Sequence, residues 1–126
     1  MESIALKIDP NEPKVERVFR MKDLDYNTLI MGNSISQQAF NPAIIDSKFP
    51  YKTYNMAIGG SSIYEMELML RHYLKYNSKP ERIIFGLYVN EAEWPNRVRP
   101  TVLRSLDNDI LKSRYYGNDS VQTEFS

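Results

Sequence analysis

Asn27-Thr28-Leu29-Ile30-Met31-Gly32-Asn33-Ser34 is the stretch on which the reading of this chain turns. Asn27 to Met31 is short, largely apolar and closed by a glycine, the pattern of a strand buried inside a sheet. Two more strand patterns follow it. Tyr51 to Met56 is rich in aromatic and β-branched residues and runs into Gly59-Gly60, and Arg82 to Val89 is a continuous apolar run of the kind that lies in the middle of a parallel sheet. Helical patterns separate the three. Asn41-Pro42 supplies an N-cap and a first-turn proline for Ala43 to Asp46, and Pro50 closes that piece. Ser62 and Glu65 have capping-box spacing, after which Met66, Met69, Leu70, Tyr73 and Leu74 mark one apolar helix face, stopped by Lys79-Pro80.

Strands alternating with helices imply βαβ units, and hence a parallel sheet with right-handed crossovers. Three strands are few for such a sheet, because parallel strands are normally covered on both faces and flanked on both sides. The expectation is therefore an α/β domain with a short parallel sheet, incomplete on its C-terminal side. Working outward, residues 1–25 are charged, carry Pro10 and Pro13, and show only a brief helical hint around Val15, Val18, Phe19 and Met21. They read as a lead-in segment packing peripherally. Residues 26–112 form the α/β domain, with a last helix marked by Val102, Leu103, Leu106, Ile110 and Leu111, and residues 113–126 form a polar tail.

Composition narrows the chemistry. Hydrophobic residues make up 42% and charged residues 25% of 126 positions, which excludes a disordered or fibrous chain. Sixteen Lys and Arg balance sixteen Asp and Glu, with no basic stripe interleaved with aromatics, so neither nucleic acid nor a membrane surface is an expected partner. The apolar runs are far short of a membrane span, and residues 1–10 lack a signal-peptide layout. The absence of cysteine removes thiolate chemistry and the usual zinc sites, and a single histidine, His72, argues against a histidine-based metal site. His72 sits beside Arg71 and Lys75 off the apolar face, so it reads as a surface residue. Chemistry is left to hydroxyls, carboxylates, amides and backbone.

In open α/β sheets ligands bind beyond the carboxyl ends of the strands. The loops there are Gly32-Asn33-Ser34, Gly59-Gly60-Ser61-Ser62 and Asn90-Glu91. Each alone is explained as turn chemistry or helix capping. Together on one rim they place a hydroxyl, a glycine pair and a carboxamide around one space, as acyl transfer requires. Arg97, Arg99 and Arg104 form a mild basic cluster whose default reading is a solvated face. Trp94 lies near the rim, in a lining or a packing role. Asn118-Asp119-Ser120 fits a glycosylation triplet of a kind frequent by chance.

These residues resemble the blocks of the SGNH (GDSL-like) hydrolases and acyltransferases. "LIMGNSISQQAF" resembles the first block, with Asn33 in the Asp place and Ser34 in that of the nucleophile. "YNMAIGGSS" resembles the second, matching at Asn55 and Gly60 and departing at Ala57. "IIFGLYVNEAEW" resembles the third, with Asn90 as the amide, Glu91 where Asp is usual and Tyr88 in a glycine place. The resemblance spans Tyr26 to Trp94. It implies a flavodoxin-like three-layer sandwich and a serine esterase or O-acyltransferase acting on an acylated carbohydrate or other small ester. Ser34 would attack, while the Ser34 and Gly60 N–H groups and the Asn90 side chain hold the oxyanion. Asn33, Gly59, Ser61 and Glu91 would line the substrate, with no cofactor and no metal.

The family's Asp-x-x-His pair has no counterpart after Trp94, so the base that activates Ser34 is missing from this chain. A non-catalytic module binding a carbohydrate or acyl group is the second reading. A flavodoxin-like nucleotide or phosphate binder ranks last, since neither phosphate-loop nor dinucleotide glycine motif occurs. The compartment stays open, the family being compatible with the cell envelope. An unfinished sheet edge offers a route to homo-oligomers.

Overall fold

The computed structural model describes residues 10–86 and 98–110. Within them the order is α1 (Glu12–Arg20), β1 (Thr28–Gly32), α2 (Ser34–Ala39), α3 (Pro42–Lys48), β2 (Thr53–Asn55), α4 (Ile63–Tyr76), β3 (Arg82–Gly86) and α5 (Pro100–Ser105). The three strands form one open parallel sheet in the order β2-β1-β3, with Leu29 opposite Tyr54 on one side and Ile83 on the other. Among the described strands β1 lies between the other two and β3 lies at an edge. All five residues of β1 are buried, whereas Ile83 and Phe85 on β3 remain 42% and 43% exposed. A continuous apolar run does not distinguish a central strand from an edge strand, because the pattern reports burial without saying which neighbours supply it.

Side-chain alternation along β1 separates two faces. Leu29 and Met31 point into a core shared with Val15, Val18 and Phe19 of α1, Met66, Leu68, Met69 and Tyr73 of α4, and Val102 of α5. Gly32 lies on the opposite side, against Ser36 of α2, and α3 packs on β2 there. Helices therefore pack on both faces of β1, while the β3 side of the core face, at Ile83 and Phe85, stays open. The approach of α2 is close because three small groups meet. A Cβ at Gly32 would stand 2.3 Å from Ser36 Oγ, and one at Gly86, its register partner, 1.7 Å.

Several sequence readings are corrected by packing. α1 is not peripheral: Val15 and Val18 are wholly buried, because the Val15, Val18 and Phe19 spacing gives a nine-residue helix one apolar face. α4 starts as expected, with Ser62 Oγ accepting the Glu65 N–H at 3.1 Å. It ends earlier, at Tyr76, where Asn77 donates to the Met21 and Tyr73 carbonyls. Its buried face is turned from the expected one: Glu65, Leu68 and His72 are inside, while Leu74 is exposed. His72 is 4% exposed, its Nε2 3.2 Å from the Phe19 carbonyl and its ring packed on Phe19 and Tyr76. The expected helix from Val102 to Leu111 breaks after Ser105. Asn41 caps α3 through the Ala43 N–H at 2.9 Å, with Pro42 following, as its sequence indicates.

Candidate functional site

The ends of β1 and β2 stay joined beyond their ladder. Met56 N–H donates to the Ile30 carbonyl at 2.8 Å and Ile58 N–H to the Gly32 carbonyl at 3.1 Å, so the loop after β2 runs alongside the end of β1. Parallel pairing then sets the Ser34 turn and the Gly59-Gly60 turn on one rim.

On the first turn, Asn33 is the N-cap of α2. Its side-chain oxygen accepts the Ile35 N–H at 3.0 Å, which fixes where the helix starts and leaves Ser34 exposed in the first turn. Asn33 is buried, and its carboxamide serves the helix. At the other end of α2, Asn55 donates to the carbonyls of Ser36, Gln37 and Phe40 at 3.3, 3.4 and 3.0 Å, satisfying acceptors that a six-residue helix leaves open. The Asn55 oxygen meanwhile accepts the Ala57 N–H at 2.9 Å. One side chain thus ties α2 to the segment leading into the glycine pair.

The second turn is Ile58 to Ser61, closed by Ser61 N–H on the Ile58 carbonyl at 3.2 Å. Gly60 has φ +77°, a region open to glycine, and it is exposed. Gly59 is buried and its peptide groups are engaged. Its N–H donates to Gln37 Oε1 at 2.9 Å, and its carbonyl accepts from Arg99 Nη2 at 2.7 Å and Asn11 Nδ2 at 3.3 Å. Lys14 Nζ donates to the Ala57 carbonyl at 2.6 Å. Burial, helped by nearby Arg17, pushes the Lys14 amine down to about 8. Ser61 is also buried, its hydroxyl donating to Glu65 Oε1 at 2.8 Å.

Glu65 and Arg99 form a buried ion pair. Arg99 Nε lies 3.0 and 3.1 Å from the two carboxylate oxygens, and the Arg99 backbone N–H donates to Oε2 at 2.7 Å. Both ions are almost fully enclosed, so the pair is supported by hydrogen bonds on every side, as burial of charge demands. The solvated reading of the basic cluster holds for Arg104, which reaches Glu12 and Thr101 at the surface, and fails for Arg99. Arg97, Trp94, Asn90 and Glu91 lie outside the described residues.

The N-caps of α1, α2, α4 and α5 are Asn11, Asn33, Ser62 and Arg99, and all four helices begin at this rim. Their positive ends, with Lys14, favour negative charge at the rim, and Glu12 and Glu65 stand in the first turns of α1 and α4, Glu65 paired with Arg99. Sequence reasoning found Ser34, Gly59, Gly60 and Ser61 here but missed Asn11, Lys14, Gln37 and the use of Glu65 and Arg99. Ser62 and Glu65 carried a signal, since their spacing marked the helix start. Nothing in the sequence pairs residue 65 with residue 99.

Among the described residues no three His, Cys, Asp or Glu side chains are placed to hold a metal ion. Among them, too, no helix is long and apolar enough to cross a membrane. Comparison of the chain with models of known families, with curated proteins and with solved structures gives no match.

Proposed function

We propose that the rim is the nucleophile-bearing part of an SGNH-like ester hydrolase or O-acyltransferase site, with Ser34 attacking the carbonyl of an acylated carbohydrate or other small ester. The observation that carries this reading is the side-by-side placement of an exposed Ser34 at a helix start and the Gly59-Gly60 turn, joined through Ile58 to Gly32 and Gln37 to Gly59. A hydroxyl at the positive end of a helix, beside a glycine turn with backbone N–H groups, suits the formation of an oxyanion. The β2-β1-β3 order also supports a flavodoxin-like sandwich, since it is how a doubly wound 2-1-3-4-5 sheet begins. In this reading Gly60 and Asn90 contribute oxyanion donors, and Glu91 lines the substrate. Asn33, Gly59 and Ser61 shape the site through the bonds they make within the fold.

A hydroxyl nucleophile needs a proton acceptor. His72 is not that group, because it is enclosed between Phe19 and Tyr76 with Nε2 on a backbone carbonyl. The engagement of His72 within the fold leaves room for the second reading, a binding module for a carbohydrate or acyl group that uses the rim for recognition. Incubation with a fluorophosphonate and peptide mapping separates the two. Adduct on Ser34, absent in Ser34→Ala, is expected for the esterase. An unlabelled Ser34 in a chain that still binds acetylated oligosaccharides selects the module.

A further inference from the structure

We propose that Arg99 and Asn11 are positioning residues that hold the Gly59–Gly60 peptide in one of two orientations, and so decide whether the rim presents an N–H or a carbonyl. Gly59 and Gly60 are the central residues of the Ile58–Ser61 turn, and only the second of them has positive φ. That combination identifies a type II turn. Type I differs from it by rotating the central peptide about 150–170°, as ψ of the first central residue and φ of the second change together, while the ends of the turn stay in place. With glycine at both positions no Cβ blocks either state.

The flanking peptides are fixed. Ile58 N–H is on Gly32, Gly59 N–H is on Gln37, and Ser61 N–H closes the turn on Ile58. Only the peptide between Gly59 and Gly60 has freedom to rotate, and its carbonyl is where Arg99 and Asn11 converge, at 2.7 and 3.3 Å. The bond is trans, so the Gly60 N–H points the opposite way, away from Arg99. Arg99 is itself immobilised. Its Nε and backbone N–H are on Glu65, which Ser61 also holds. A guanidinium suits this position because its planar fork reaches the carboxylate with one nitrogen and the carbonyl with another.

The catalytic consequence rests on the reading of Gly60 N–H as an oxyanion donor. In the flipped state that place is taken by the Gly59 carbonyl, which repels the developing negative charge. Loss of one such donor slows acyl transfer by about 10²–10³-fold.

The test is an NMR measurement on the isotopically labelled full chain. A type II turn sets the Gly59 Hα against the Gly60 amide proton, and a type I turn sets the two amide protons together. The wild-type protein should show a strong Gly59 Hα to Gly60 HN cross-peak. Arg99→Lys keeps a cation beside Glu65 but loses the fork, and Asn11→Ala removes the second donor. The double variant should lose that cross-peak severalfold and gain the amide–amide one, the rest of the spectrum staying native-like. An unchanged pattern, or a type I pattern in the wild type, overturns the latch. If the double variant does not fold, Asn11→Ala alone is read by the same two peaks: weakening of the Hα peak supports the latch and constancy overturns it. Fluorophosphonate labelling of Ser34 is followed in parallel. A moved pattern with an unlabelled wild-type Ser34 sinks the esterase reading and leaves the latch; a labelled Ser34 with an unmoved pattern does the reverse.

Discussion

The two turns on the rim are built by opposite means. The Ser34 turn is made by capping and close contact: Asn33 caps the helix it begins, Ser36 sits against Gly32 and, from β3, Gly86, and Asn55 closes the helix from the adjacent strand. The Gly59 turn is held by polar tethers, Asn11 and Arg99 on its carbonyl and Gln37 on its N–H, with Arg99 fixed in turn by Glu65. The first depends on caps and close contact, each worth about 1 kcal/mol or a little more. The second depends on a buried charge pair, whose halves are costly to leave alone. Damage to the second should therefore be larger and spread further.

The sharpest way to break that contrast is Glu65→Ala. It strands Arg99 in an enclosed site, and urea denaturation should show a loss of about 3–5 kcal/mol. A midpoint that scarcely moves would mean the Gly59 turn is not held by charge. Next in size is Gly86→Ala, whose Cβ would stand 1.7 Å from Ser36 Oγ and 3.0 Å from Ser36 Cβ. Overpacking of this kind costs about 1–3 kcal/mol. Adding Ser36→Gly should recover part of the loss, and strict additivity of the two changes would refute the contact.

Asn33→Ala should cost about 1 kcal/mol by the same measurement, the usual loss for an N-cap. Smaller and tied to pH is the signal from His72. Burial lowers its pKa below the ordinary 6.5, against the opposing pull of the Phe19 carbonyl and Asp107. Between the folded and unfolded values the unfolded chain binds more protons, so stability is present above about pH 6.5 and declines as the pH falls through that window. Denaturation midpoints at about pH 7.5 and about pH 5.5 should differ in the wild type and converge in His72→Phe, in a chain that has no other histidine. Least of all, Ser34→Ala should stay within about 0.5 kcal/mol of the wild type, being exposed and outside the capping bonds, while abolishing fluorophosphonate labelling.

What was readable from the chain follows the same division. The start of α4 at Ser62, the Asn41-Pro42 cap of α3 and the turn at Gly32 were legible because their causes lie within four residues. The α/β class was legible from alternating strand and helix patterns. The β2-β1-β3 order of the described strands was not, since apolarity in β3 says nothing of which strand lies beside it. His72 looked superficial because Arg71 and Lys75 flank it, yet residues 65, 68, 69 and 72 are all buried, and His72 meets Phe19 of α1. Arg99 looked like one of three surface cations. Its burial depends on a carboxylate 34 residues away, and single-sequence periodicity carries no information at that separation.

The bonds from residues 11 and 99 to one glycine carbonyl have a bearing on biosynthesis. During translation the helix that begins at Ser34 and the strand beneath it leave the ribosome before the glycine turn, as does the helix that Asn11 caps. The glycine turn then waits for some forty more residues before its guanidinium arrives, since Arg99 is 40 positions past Gly59. A contact of that span closes late in folding. Nascent chains stalled before that point should expose Ser34 without a settled partner turn, and the rim is complete only once α5 has docked.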